Sequence, residues 1–293
     1  MSYVSSLDAR ERRAYAWILL CGAALLLIAL CVWWRSTSVN PERVFWGAIT
    51  NSFSARGVTL TSSQQSAGTT NQQILHLDLG PKPKAHSVTT LTRDKAVVKT
   101  ENLSTPTKDY TRYAEIKNGK NAVPKNVIGV WADTTDPSQP QQTLPPLFGQ
   151  VLLGRSLPFG NFTEEQRRGL IEELRTTNLY ATSYTKAEKR HKDGRLQYVY
   201  TVNMQPILYI RFMKDYAKQM GLHDLDKVDP NSYSGVKAVS VKWTVDARSR
   251  QLVGVDYGNG HQETYAGFGL PVQTPTPAHA ISGAELQKRL SVK

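Results

Sequence analysis

Cysteine is almost absent from this 293-residue chain: its two copies, Cys21 and Cys31, both fall inside one long apolar run. Because no cysteine occurs outside that run, the rest of the chain has no disulfide framework, no cysteine-based metal site and no thiol nucleophile. Its six histidines are scattered without ligand spacing, and the chain carries no P-loop, dinucleotide fingerprint or G-x-S-x-G motif. The sequence thus predicts no catalytic residue, no metal site and no cofactor, and we expect a protein that is not an enzyme.

Two local patterns imitate functional sites. Ser183 and Lys186 match S-x-x-K, but the companion motifs of that class are missing. Asp224, Asp226 and Asp229 cluster their carboxylates as calcium ligands do, yet the glycine and the terminal glutamate of an EF-hand loop are absent. We interpret the first as a coincidence and the second as a turn with solvated acids.

Acidic residues are scarce, with 24 Asp+Glu against 36 Lys+Arg and a formal net charge of +12. A net positive charge attracts anionic lipid headgroups, acidic wall polymers or nucleic acid. The same charge is the only feature that supports a hydrolase of wall polymers. The charges are dispersed, however, and the densest segment, residues 186–192, includes a glutamate. A solvated basic surface is the favoured interpretation, and no nucleic-acid partner is expected.

Residues 14–34 form a run of 21 residues without a charge. As a helix this run would span about 30 Å, the thickness of the hydrocarbon core of a bilayer. The run ends in Cys-Val-Trp-Trp-Arg, which does not fit a cleavage site, and leucine precedes both cysteines, which does not fit a lipoprotein signal. We therefore expect a single-pass cell-membrane protein with a cytoplasmic tail at 1–13, an uncleaved transmembrane helix at 14–34 and an extracytoplasmic domain at 35–293.

The outer domain mixes helix and strand signals. Caps and apolar periodicity predict helices at 40–57, 163–178 and 205–221 and another from Ser282. Segments rich in β-branched residues predict strands at 58–63, 73–79, 87–92, 96–102, 110–117, 127–133, 184–190, 196–204, 235–246, 251–257 and 261–265. Residues 136–146 hold four prolines and predict a loop or hinge. The predicted class is α+β, with a curved antiparallel sheet and helices packed on its concave face.

Alternation within the C-terminal strands places apolar side chains on one sheet face. The candidate ligand-binding residues on this face are Tyr198, Tyr200, Val202, Val239, Val241, Trp243 and Val245. A filled hydrophobic core explains the same pattern, so the alternation leaves both interpretations open.

The order of motifs over residues 184–290 resembles the half-barrel lipoprotein carriers typified by LolA and the LppX/LprG lipoproteins. The motifs are a helix opened by Gln205-Pro206, the strand Val241-Lys-Trp-Thr-Val-Asp246, and the segment Tyr265-Ala-Gly-Phe-Gly-Leu-Pro-Val272. This resemblance implies a half-barrel that binds or senses lipids or lipidated proteins without catalysis. The chain departs from the family in having an apolar N-terminal run and no lipobox cysteine, which favours a tethered protein over a diffusing shuttle.

Two functions remain after this comparison. The first is a membrane-anchored extracytoplasmic protein that binds or senses lipid or a lipidated partner in a hydrophobic half-barrel. The alternative is a structural or assembly subunit of a cell-envelope secretion or pilus complex, with other envelope proteins as partners. The sequence does not identify the ligand, the oligomeric state or the partner.

Overall fold

The computed structural model describes residues 9–38, 40–118, 125–135 and 146–291. Its first element is helix α1, Ala9–Ser38. Among these described residues, no helix meets the length and hydropathy needed to cross a membrane. The predicted membrane span at 14–34 is therefore not confirmed.

Helix α2, Pro41–Phe53, begins as the sequence predicts. The Asn40 side chain accepts hydrogen bonds from the backbone N–H groups of Glu42 and Arg43, and proline occupies the first turn, where its missing N–H costs nothing. Its apolar stripe, which includes Val44, Phe45 and Ile49, is fully buried. The stripe lies on the sheet, so α2 is part of the core.

Within the described residues, twelve strands form one open sheet in the order β12-β6-β5-β4-β3-β2-β1-β11-β10-β9-β8-β7. The strands are β1 Gly57–Ser66, β2 Thr69–Asp78, β3 Lys84–Arg93, β4 Ala96–Ser104, β5 Asp109–Asn118, β6 Ala132–Asp133, β7 Glu188–Lys192, β8 Arg195–Met204, β9 Val239–Asp246, β10 Leu252–Gly258, β11 His261–Ala266 and β12 Ile281–Ser282. All pairs are antiparallel except β12 with β6. This confirms an α+β protein with a large curved antiparallel sheet that does not close.

The remaining helices are α3 Pro146–Leu153, α4 Glu164–Thr177, α5 Pro206–Gln219 and α6 Gly283–Ser291. A capping box between Thr163 and Gln166 opens α4, as predicted. Helices α2, α4 and α5 contact one another and join the main core, while α6 packs on a small separate cluster with Val127 and Ala132. The helix layer therefore covers the C-terminal part of the sheet most heavily.

Three predicted strands were too long. Residues 127–133 contain one residue of a short 3-10 helix at Lys125–Val127 and then the two-residue strand β6, and 184–190 begins with a 3-10 turn at Tyr184–Lys186. The strand predicted from 235 begins at Val239. Most of the predicted hinge at 136–146 lies outside the described residues, and its last residue, Pro146, begins α3 instead. Proline suits that position because a first-turn residue needs no N–H bond.

Candidate functional site

The inner face of the sheet changes character from one end to the other. Residues in register run across neighbouring strands in the order Tyr200, Trp243, Val255, Glu263, Ser62, Gln73, Thr89 and Thr100. The β8–β10 end of this row is apolar, and the β1–β4 end carries hydroxyl and amide groups. Glu263 on β11 marks the boundary.

The apolar end is filled by side chains. Phe45 of α2 stacks on Trp243 with ring centroids 5.6 Å apart, and Tyr180 lies 4.7 Å from the same indole. The hydroxyl of Tyr200 donates to the carbonyl of Pro41 at 2.7 Å, and that of Tyr216 donates to the carbonyl of Phe159 at 2.7 Å. Burial raises the pKa of both phenols well above the usual range. These contacts leave Trp243 and Tyr200 with no exposed surface.

The seven predicted ligand-binding residues lie in two environments. Six are 0–1% exposed within the packed core: Tyr198, Tyr200, Val202, Val241, Trp243 and Val245. Val239 is 48% exposed at the start of β9. Of the seven, Val239 and Val241 line a cavity found among the described residues. Ligand contact by any of them stays a prediction, and the packing favours these two.

A buried polar cluster occupies the boundary between the two ends. Arg155, just after α3, forms an ion pair with Glu263, whose side chain is fully buried. The other Glu263 oxygen accepts hydrogen bonds from the hydroxyls of Tyr257, at 2.9 Å, and Tyr265. Tyr209 of α5 donates to the carbonyl of Arg155. A buried carboxylate needs this number of donors, because an unpaired charge at such depth is strongly destabilising.

The surroundings of Glu263 also shift the tyrosines beside it. Burial, followed by the Glu263 charge, raises the pKa of Tyr257 to about 12. Burial and then the neighbouring Tyr257 and Glu263 raise the pKa of Tyr265 well above its usual range. Both phenols therefore remain protonated at neutral pH and can donate to the Glu263 carboxylate.

Two cavities meet at this junction, and Gly154 and Arg155 line both. The first has a volume of about 330 Å³ and is mostly apolar, lined by Leu153, Gly154, Arg155, Ser156, Met204, Pro206, Tyr209, Val239, Val241 and Tyr257. The second, about 310 Å³, lies on the polar end of the sheet and is lined by Gln73, Leu75, Ala85, Ser87, Thr89, Asn102, Ser104, Val151, Gly154 and Arg155. Each volume is at the lower end of the range for small-molecule sites.

The acidic triplet noted in the sequence does not converge in space. Asp226 pairs with His223 at 2.9 Å, and Asp229 accepts from the backbone N–H of Asn231 at 2.9 Å to cap a short turn. One Asp224 oxygen is buried without a hydrogen-bond partner. Among the described residues, no group of three or more His, Cys, Asp or Glu side chains could hold a metal ion.

Comparison with known proteins adds little. No family model and no curated protein matches the sequence. Among solved structures, the crystal structure of LprF from Mycobacterium bovis is similar with a TM-score of 0.44 and 13% identity, covering 82% of this chain and 97% of that chain. A likeness at this level does not assign this chain to a family or to a ligand.

Apart from Val239 and Val241, the residues that line the two cavities were not predicted from the sequence. Arg155 lies in a Gly-Arg-Ser segment without a motif, and Glu263 shares one face of β11 with His261 and Tyr265. A carboxylate at an inward-facing strand position was a usable signal, because such a residue requires a cationic partner. Nothing in the sequence pointed to Arg155 as that partner, since the two residues are 108 positions apart.

Proposed function

We propose that this chain is a non-enzymatic protein that binds an amphipathic ligand, a lipid or the lipid chain of a modified partner, at the junction of the two cavities on the concave face of the sheet. The observation that carries the proposal is the pairing of an apolar and a polar cavity on either side of Arg155. The two surfaces match the two ends of an amphipathic molecule.

The apolar cavity is the place for an alkyl chain. Leu153, Met204, Pro206, Val239 and Val241 present hydrocarbon to it. Each buried CH₂ group contributes about 0.8 kcal/mol, so a chain of several carbons supplies appreciable binding energy without a charged contact. Val239, 48% exposed, lies where the cavity meets solvent and gives the chain a route of entry.

The polar cavity suits an uncharged polar group. Gln73, Thr89 and Asn102 are half-buried and offer both donors and acceptors. Arg155 already pairs with Glu263, so the guanidinium does not present a free charge to a ligand. This arrangement favours a neutral polar group over a carboxylate.

Membrane attachment is the second part of the proposal. Side chains 17–33 of α1 are exposed, and nearly all of them are apolar, including Leu25, Leu26, Leu27 and Ile28 at 60–67% exposure. Exposed apolar surface of this extent needs cover from lipid or protein. We propose that α1 anchors the chain in the cell membrane and that the sheet domain lies outside the cytoplasm.

Native mass spectrometry of the full chain in a neutral detergent tests the function. We expect a discrete lipid mass that leaves on activation, and we expect Val239→Asp to lower its occupancy several-fold. Val236→Asp is the matched control, because Val236 is also 48% exposed but does not line the cavity. A bare protein mass after incubation with membrane lipids would contradict the proposal. Stable co-purification with other envelope proteins in that case would favour the assembly-subunit alternative.

A further inference from the structure

A separate depression lies on the face of the sheet opposite to the two cavities. It has a volume of about 890 Å³ and is lined by Arg190, His191, Lys192, Asp193, Arg195, Gln197, Thr244, Val253, Gly254 and Thr264. Thr244 alternates along β9 with the buried Trp243, and Thr264 alternates along β11 with the buried Glu263. Successive side chains of a strand point to opposite faces, so this depression is separate from the concave site.

The floor of the depression exists because Gly254 has no side chain. Gly254 pairs with Thr244 on one side and Thr264 on the other, next to a register shift in β10. A Cβ at this position would meet the Glu263 carbonyl oxygen at 3.4 Å and the Thr244 Cβ at 3.7 Å, which are ordinary contacts. The backbone therefore has room for a Cβ at this position, and a side chain there would occupy the floor.

The wall of the depression is the β7–β8 hairpin, and it is cationic. Arg190, Lys192 and Arg195 line it, against one carboxylate, Asp193. Arg190 is bound by Glu188 at 2.8 and 3.1 Å. Within the described part of the chain, the side chains of Lys192 and Arg195 make no ion pair and no hydrogen bond. Their charges are available to a ligand.

Lys192 and Arg195 repel each other when no anion lies between them. Lys192 and Arg195 are directly opposite in the hairpin register, on either side of the Asp193-Gly194 turn. Like charges directly opposite each other destabilise an antiparallel pair. An anion between them converts this repulsion into two attractions, and the Arg195 guanidinium can bind two oxygens of one phosphate.

We propose that this depression binds a phosphate group. Lys192 and Arg195 supply the charge, and the hydroxyls of Thr244 and Thr264 supply neutral donors from the floor. The group could reach the depression on a soluble phosphate ester or on a phospholipid, and the chemistry recognised is the same. The site is independent of the lipid-binding proposal, since it lies on the other face of the sheet.

Site-resolved lysine labelling of the full chain in neutral detergent tests the site. The first probe is glycerol 3-phosphate, with sodium chloride at equal ionic strength as its blank. The second, used separately, is phosphatidic acid in mixed micelles, with diacylglycerol micelles as its blank. We expect about 10 mM glycerol 3-phosphate to slow acylation of Lys192 roughly threefold, corresponding to a Kd of about 5 mM. Lys189 of the same hairpin, which does not line the depression, is expected to react unchanged.

Two variants keep the test specific. Arg195→Gln should abolish the protection of Lys192 because it removes a charge. Gly254→Val should abolish it because the new side chain fills the floor. Lys237→Gln, the control, should retain the protection. Protection by phosphatidic acid alone supports the site and makes a phospholipid the source. Protection by neither probe, equal protection of Lys189, or protection that survives in both variants would overturn the proposal.

Discussion

The two ends of the inner sheet face share strand geometry and differ in what covers them. At the β8–β10 end, Trp243 is enclosed by aromatic side chains from α2 and the segment before β7. At the β2–β4 end, the corresponding positions are Gln73, Thr89 and Thr100, and a cavity lies between these strands and α3. The first end therefore holds the fold together and the second leaves space. We infer that the packing around Trp243 supplies stability, while a ligand binds at the junction and towards the polar end.

Substitution of Trp243 should have the largest effect on stability. We expect Trp243→Ala to lower the free energy of unfolding by about 3–5 kcal/mol, because it removes a fully buried indole and leaves a cavity among Phe45 and Tyr180. Thr89→Ala at the polar end, where the side chain is half-buried, should cost less than about 1 kcal/mol. Urea unfolding of both variants measures the contrast. Similar losses at the two positions would break the proposed division.

Removal of the Arg155 charge at the boundary should lower the free energy of unfolding by nearly as much. Arg155→Met leaves the fully buried Glu263 carboxylate without its cation, and we expect a loss of about 3 kcal/mol. The double variant Arg155→Met with Glu263→Gln should recover more than half of that loss, since no buried charge remains. A double variant no more stable than the single one would show that the ion pair is not the source of the effect.

Helix α4 contains a group that opposes folding at neutral pH. Burial and then the charge of Asp215 raise the pKa of Glu173 from 4.5 to about 7. Between these values the folded protein keeps a proton that the unfolded chain has lost, so this group's contribution to stability falls as the pH rises. Because Glu173 is partly exposed, we expect Glu173→Gln to add about 1 kcal/mol at pH 8 and nothing below pH 4.5. Thermal unfolding across this pH range measures the gain, and a gain independent of pH would contradict this account.

A pair of histidines on β2 and β3 should give a smaller, opposite dependence of stability on pH. Burial and then the nearby His86 lower the pKa of His76 from 6.5, and the two rings stack 6.0 Å apart. Thr59 bonds His76 at 2.9 Å, while His86 bonds Glu101 and Glu101 bonds Arg112. Below pH 6.5 the unfolded chain takes up the His76 proton first, so stability should fall with the pH. We expect His76→Gln to flatten the unfolding profile below pH 6.5 by less than about 1 kcal/mol, and an unchanged profile would contradict it.

Prediction from the sequence succeeded where local chemistry determines the structure. The capped helices at Asn40 and Thr163 and the alternating strands β8 and β9 follow from short-range patterns. The alternation also identified Trp243 as an inward-facing residue. It could not distinguish a filled interior from an open one, because both require apolar side chains on the same face.

The boundary of the cavities depends on contacts between distant parts of the chain. Arg155 meets Glu263 across 108 positions, and the depression at Gly254 depends on a register shift in β10. Local patterns carry no information on either feature. The sequence placed Gln73 and Thr89 on predicted strands. Only the fold shows that they line one cavity together with Arg155.

Photolabelling of the full chain with a diazirine-bearing fatty acid tests the central claim most directly. The account predicts that the label attaches to residues 153–156 and around Val239, where the apolar cavity meets the boundary. Tyr198, Tyr200 and Val245 should remain unlabelled, since they are fully buried among other side chains. Labelling concentrated on those three residues, or absent from the sheet domain, would contradict the claim that the lipid site lies at the junction of the two ends.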